Sequence, residues 1–182
     1  MRTTLRAFAL VLLAVSAAAQ DTPKGGEFTA TATVTSSQGT RSLNFDVVVT
    51  SPISIEQALP LKKILAEGGQ NALMNTIRGA GHGRIRLGGL EYPVDLVVAE
   101  KTKDGEKYVV VTARPLKFEE VQEGRPSLDH PFTVMVFDVP GFGKGTGKIF
   151  TKAALYVDDA GHAQAEQYEH DPGILKDVKR LK

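Results

Sequence analysis

Histidines, carboxylates and one glycine-dense run are where this chain of 182 residues offers chemistry. For His82, His130, His162 and His170 to hold a metal, their spacing would have to bring rings together. No two form a His-x-His or His-x₃-His pair. His130 follows Asp129 and His170 precedes Asp171, but neighbouring side chains point to opposite sides of an extended chain. The spacing supports surface imidazoles and assigns no metal ligand. The run Gly141-Phe-Gly-Lys-Gly-Thr-Gly-Lys148 has the composition of a phosphate loop without its spacing. A P-loop needs glycine five residues before Gly147, where Phe142 stands, and Ser or Thr after Lys148, where Ile149 stands. No helical pattern follows that could offer an N-terminus to phosphate. The run reads as a hairpin turn, and Gly79-Ala-Gly-His-Gly83 as the lead into a strand. Cysteine is absent and no Gly-x-Ser-x-Gly elbow occurs, so neither familiar nucleophile is present. An acid–base pair of carboxylates stays open, because separation in space is not written in the sequence. No catalytic residue, metal or cofactor is assigned.

The remaining candidates are apolar. Tyr92, Tyr108, Phe132, Met135, Phe137 and Tyr156 could line a ligand cavity, or simply fill a close-packed core. The elements that carry them read as strands. Residues 132–139 are apolar, β-branched and aromatic, 140–143 turn, 144–157 return, 158–161 turn again, and 163–168 run back with polar residues dominant. This meander passes from a strand covered on both faces to a wet edge. Glu166 and Glu169 on its last strand look like protection of that edge against stray pairing. Upstream, Phe28, Ala30, Ala32 and Val34 alternate with threonines. After a turn at 36–39, Leu43, Phe45, Val47 and Val49 alternate with polar residues. Period two predicts a hairpin with one face in the core and one in water. Residues 84–87, 90–98 and 108–113 read as three more strands, with turns at Gly88-Gly89 and at 102–105. Residues 115–129 form a polar surface connection with room for a short strand at 116–118, and the tail from Ile174 is assigned a closing strand over a helix.

Only residues 53–79 carry a helical pattern. Ser54 with Gln57 makes a capping box, and Ile53 is placed for a hydrophobic staple. Pro60 suits the first turn of a further segment better than a helix interior. Leu61, Ile64 and Leu65 form one stripe; Leu73, Met74 and Ile77 form another. One straight helix would put the two stripes on nearly opposite sides. A break at Gly68-Gly69 lets both face one sheet, so two short helices are expected.

At the start, Arg2 and Arg6 precede an apolar run over residues 7–19, and Ala17-Ala18-Ala19 has the small-x-small cleavage pattern. Residues 1–19 are therefore expected to be a signal peptide cut before Gln20, making the protein secreted or periplasmic. The run is 13 residues, short of the roughly 20 that span a bilayer, so no integral membrane segment is expected after cleavage. Without Arg2 and Arg6 the 22 basic residues become 20 against 21 acidic ones, a near-neutral balance that argues against nucleic acid.

Several stretches carry a resemblance: Gly83-Arg-Ile-Arg-Leu-Gly-Gly89, Tyr92-Pro-Val94, Arg114-Pro-Leu-Lys-Phe118, Pro131-Phe-Thr-Val134 and Gly143-Lys-Gly-Thr-Gly147. The chain resembles a group of secreted bacterial proteins of unknown function. The resemblance implies an exported domain and no activity. The expected fold is mainly β: residues 20–182 as a single antiparallel domain of about eight strands. It is a lipocalin-like barrel in preference to a sandwich, with a broken helical hairpin inserted after the second strand. The expected function is a non-enzymatic exported binding module for a small apolar ligand. An envelope or extracellular protein–protein interaction domain is the alternative, and a hydrolase stands third.

Overall fold

Alternating apolar residues and threonines build the first strand of a ten-stranded sheet in a computed structural model that describes residues 22–36, 39–114, 129–159, 161–167 and 171–181. Strand β1 (Gly26–Ser36) pairs antiparallel with β2 (Gly39–Val49) along its whole length. Phe28, Ala30, Ala32 and Val34 are buried. On the opposite face, Thr31 bonds Asn44, Thr33 bonds Ser42 and Thr35 bonds Thr40 across the pair. The hairpin is the one that period two predicts. Helix α1 (Ile55–Ile77) follows, then β3 (Gly83–Leu87), β4 (Leu90–Val94), β5 (Leu96–Thr102) and β6 (Gly105–Thr112). The chain continues through β7 (Phe132–Pro140), β8 (Gly145–Val157), β9 (Ala163–Gln167) and β10 (Gly173–Arg180).

The sheet runs β4-β3-β2-β1-β10-β8-β7-β6-β5, with β9 on the second half of β8. Its two end strands, β4 and β5, are separated in the chain by Asp95 alone. That connection curls the sheet into a half-barrel. Val94 still accepts from His82 N–H at 3.0 Å, while Asp95 N–H already bonds Val111 O at 3.0 Å. Residues 90–98 are thus two strands and not the single one their alternation suggests. The phase also flips at the corner: Tyr92 and Val94 pack on the inner core, Leu96 and Val98 on the outer one. This split, together with a tail that does form a strand, gives ten strands where about eight were expected.

Two cores result. The concave face is filled by Phe28, Phe45, Val47, Ile85, Tyr108, Met135, Phe137, Ile149 and Leu175 among others. The convex face of β5 to β9 packs against α1 through Phe132, Val134, Val136, Phe150 and Leu155. Strand β7 feeds both, which is why its sequence is apolar at every position from Phe132 to Phe137 except the buried Thr133. The glycines of the 141–148 run serve this packing. Gly147 lies opposite Phe137, and a Cβ there would stand 2.2 Å from Val136 O and 2.7 Å from Phe137 Cβ.

Helix α1 begins on the capping box: Gln57 N–H donates to Ser54 Oγ at 3.2 Å, and Ser54 N–H to Gln57 Oε1 at 2.9 Å. Gly69 breaks it, with φ 67° and ψ −168°. Ala58 and Leu65 before the break, and Leu73 and Ile77 after it, all pack on the same sheet face. The element is thus two helical segments joined at a kink, as the opposed stripes predict. Pro60 lies inside it, contrary to expectation. The proline removes the N–H that would reach Glu56, but the cap on one side and buried Ala58 and Leu65 around it hold the helix through that gap. Ile53 packs on the outer core and also bridges β5, its N–H to Val97 O and its O to Ala99 N–H, both at 2.9 Å. The expected signal segment 1–19, the strand at 116–118, the polar connection 115–128, Glu169 and His170 lie outside the described residues.

Candidate functional site

Helix α1 lays Ala58, Leu61, Lys62 and Leu65 along one face, at the i, i+3, i+4, i+7 spacing of a helical stripe. Opposite them stand Leu96 and Val98 of β5, Val109 and Val111 of β6, Leu155 of β8 and Ala163 of β9. Leu73, from beyond the kink, also lines the gap. Between helix and sheet these residues leave a half-open crevice of about 80 Å³ with an almost wholly apolar lining. It exists because two of the facing residues are small: an alanine on the helix and an alanine on the edge strand leave space that larger side chains would close.

Lys62 is the charged residue in that lining, and it is partly buried. Its Nζ donates to Gly161 O at 2.9 Å, in the β8–β9 turn. Asp158 organises the turn. Its carbonyl accepts from Gly161 N–H at 2.8 Å, and its Oδ1 accepts from His162 N–H at 2.7 Å. Its Oδ2 accepts from Gln164 Nε2 at 2.8 Å. On the far side of the kink, Gln70 ties the helix to the sheet. Gln70 Nε2 donates to Asp129 O at 2.7 Å, and its Oε1 accepts from Leu155 N–H at 3.1 Å. Strand β7 begins at Phe132, opposite Ala153, so Leu155 has no strand partner on that side and the glutamine supplies the acceptor. Where the helix ends, buried Asp95 receives Gly79 N–H on Oδ1 and Ala113 N–H on Oδ2, each at 2.7 Å. The crevice is thus held at its mouth, middle and far end by polar contacts, with apolar walls between.

The six residues expected to line a cavity lie elsewhere. Tyr108 and Phe137 form an aromatic cluster with Phe28, with centroids 4.8 to 5.6 Å apart. Met135 is buried in the same inner core, and Tyr92 packs partly buried against it. Phe132 is fully buried on the opposite face, beneath the helix. Tyr156 is partly buried opposite Gln164. Four therefore share the concave side and two do not, and none lines the crevice. Sequence reasoning missed Lys62. The signal was a lysine inside an apolar i, i+3, i+4, i+7 stripe, where a wet helix face would be expected to carry it.

At one end of the half-barrel, the single proton of Tyr108 Oη has two acceptors in reach, Glu106 Oε2 at 2.9 Å and Lys24 O at 3.1 Å, and the oxygen accepts from Arg180 Nη2 at 2.8 Å. Arg180 also binds the Glu106 carboxylate and lies 4.8 Å over the Phe28 ring. Burial, then the Glu106 hydrogen bond, push the Tyr108 hydroxyl well above its ordinary pKa. A phenol so held stays neutral at physiological pH. Among the described residues no group of three His, Asp or Glu could hold a metal. His82 contacts Ser51 O, and His162 Nδ1 lies 3.6 Å from Asp158, in separate parts of the fold. No helix among the described residues is long and apolar enough to cross a membrane. Comparison of the chain with known protein families, with curated proteins and with solved structures found no match, so the site rests on its own geometry.

Proposed function

We propose that this protein is an exported, non-enzymatic binding module that holds a small apolar ligand in the crevice between α1 and the sheet. Export rests on the sequence pattern of residues 1–19, with cleavage before Gln20. The half-barrel is read as a lipocalin-like scaffold whose ligand lies outside the barrel wall, because aromatic side chains fill the concave side. One observation carries the reading: an open apolar crevice beside a helix tied to the sheet at both ends, by Ile53 before it and Asp95 after it. Apolar concavities with a single polar group at the rim are the usual form of small-ligand sites.

A second reading, a protein-interaction domain, is favoured by Phe142. Its ring is 97% exposed at the tip of the β7–β8 hairpin. Thermal unfolding with fatty acids, isoprenoid alcohols and divalent metals, the last with a chelator control, separates the two. A ligand at a hundredfold excess over its Kd adds about 2.7 kcal/mol, which raises the Tm of a domain this size by about 5–11 °C. Shifts with metals alone, abolished by chelator, would overturn the apolar reading. No shift with anything would favour the protein partner at Phe142.

A further inference from the structure

We infer that the crevice takes an acyl chain ending in a carboxylate, with Lys62 as the group that holds the head. The inference rests on the apolar-ligand reading and narrows it to one chemical class. Among the described residues Lys62 forms no ion pair, whereas its neighbour Lys63 lies 3.8 Å from Glu67. The Lys62 ammonium donates one hydrogen bond, to Gly161 O. Since an ammonium has three N–H donors, two stay available at the mouth of the crevice. The Gly161 carbonyl that steadies it belongs to a turn fixed by Asp158 backbone and side-chain bonds, so the cation is positioned and not free to sweep through solvent. A cation so placed at the rim of apolar walls matches an anion attached to an apolar body. A neutral alcohol or ester could still accept from the ammonium but would forgo the ion pair.

Size sets the chain. A dry apolar cavity of about 150 Å³ accommodates benzene, so about 80 Å³ encloses only the last few carbons. The rest of the chain would lie along the open side of the crevice, with its head at Lys62. Medium chains fit this geometry.

Calorimetric titration of the mature protein with octanoate, octanol and methyl octanoate tests the inference, using wild type, Lys62→Met, Lys62→Gln and Ala163→Leu. Unfolding curves check that each variant folds. Octanoate should bind wild type about tenfold more tightly than octanol, and Lys62→Met should erase that difference while leaving octanol within about twofold. Lys62→Gln, which can still donate to Gly161 O, should lose the difference too if charge is what matters. Ala163→Leu should abolish all three ligands. If octanol equals octanoate in wild type, or Lys62→Met leaves octanoate unaffected, the carboxylate inference falls and the apolar crevice stands. If no amphiphile binds wild type, or all bind Ala163→Leu as before, both fall.

Discussion

Asp95→Ala is the substitution that should cost this fold most for the fewest atoms removed. The carboxylate is buried and accepts two backbone N–H groups at 2.7 Å, from Gly79 after the helix and from Ala113 at the end of β6. Its own N–H holds Val111 where the two end strands of the sheet meet. Truncation leaves both donors without their acceptor, the Ala113 N–H in a buried position. Each bond to a charged acceptor is worth about 1.5–3 kcal/mol. The Gly79 side is only partly buried, so about 3–5 kcal/mol in total is the expected loss. That lowers the Tm by about 6–20 °C for a domain of this size. Asp95→Asn keeps one acceptor but turns an amide N–H₂ toward the other donor, and should fall between the two. Urea midpoints at neutral pH, with m-values checked for constancy, give the numbers. A loss below about 1 kcal/mol for Asp95→Ala, or an Asn variant no better than the Ala, would refute the account of this residue as the clamp of the corner.

Three further expectations follow from other parts of the molecule. Gly69→Ala should cost about 1–3 kcal/mol despite the better helix propensity of alanine, because φ 67° with ψ −168° is a region only glycine occupies readily. A raised Tm for that variant would show that the kink is not required. Ala163→Leu should leave stability within about 1 kcal/mol or raise it, since it fills existing space, while removing any ligand-induced Tm shift. Tyr108, whose folded pKa is raised by burial and by Glu106, stabilises fully below the unfolded value of about 10 and loses that contribution as pH rises further. Wild type should therefore weaken from pH 9 to 11 more steeply than Tyr108→Phe in urea titrations, and equal slopes would count against it.

The sequence was readable wherever one side of an element is wet. The β1–β2 hairpin announces itself because threonines face water while Phe28, Ala30, Ala32 and Val34 are buried. The capping box and the break at Gly69 were readable for a similar reason, since two apolar stripes cannot share one straight helix. The corner at Asp95 was not. Alternation continues through it from Leu90 to Val98, and a polar residue at an alternate position looks like one facing solvent. Only the hydrogen bonds show that the phase flips there, carrying Leu96 and Val98 to the other face. The tail, rightly assigned a strand, was ambiguous for a different reason. Leu175 and Val178 are three apart and both buried, a helical spacing. They share a face on a strand because β10 is bulged between them, where Asp177 adopts φ 56°.

The site was hidden for a different reason. A crevice is a deficit of packing, and a deficit is a property of pairs of elements, not of a stretch of chain. Aromatic residues drew attention because they are large, but size makes them fill space: Phe28, Tyr108 and Phe137 stack in the barrel and leave the concave side occupied. The unfilled volume is lined by Ala58 of the helix and Ala163 of β9, small residues from distant parts of the sequence. Closing it would have taken a bigger residue on either element, with no cost in propensity, since leucine is a good helix former. Nor is the helix free to settle into the gap. Ile53 bridges β5 just before its start, Gln70 binds Leu155 at 3.1 Å in its middle, and Asp95 holds Gly79 just past its end. A helix pinned at these points cannot settle onto the small side chains beneath it, so the space between helix and sheet persists.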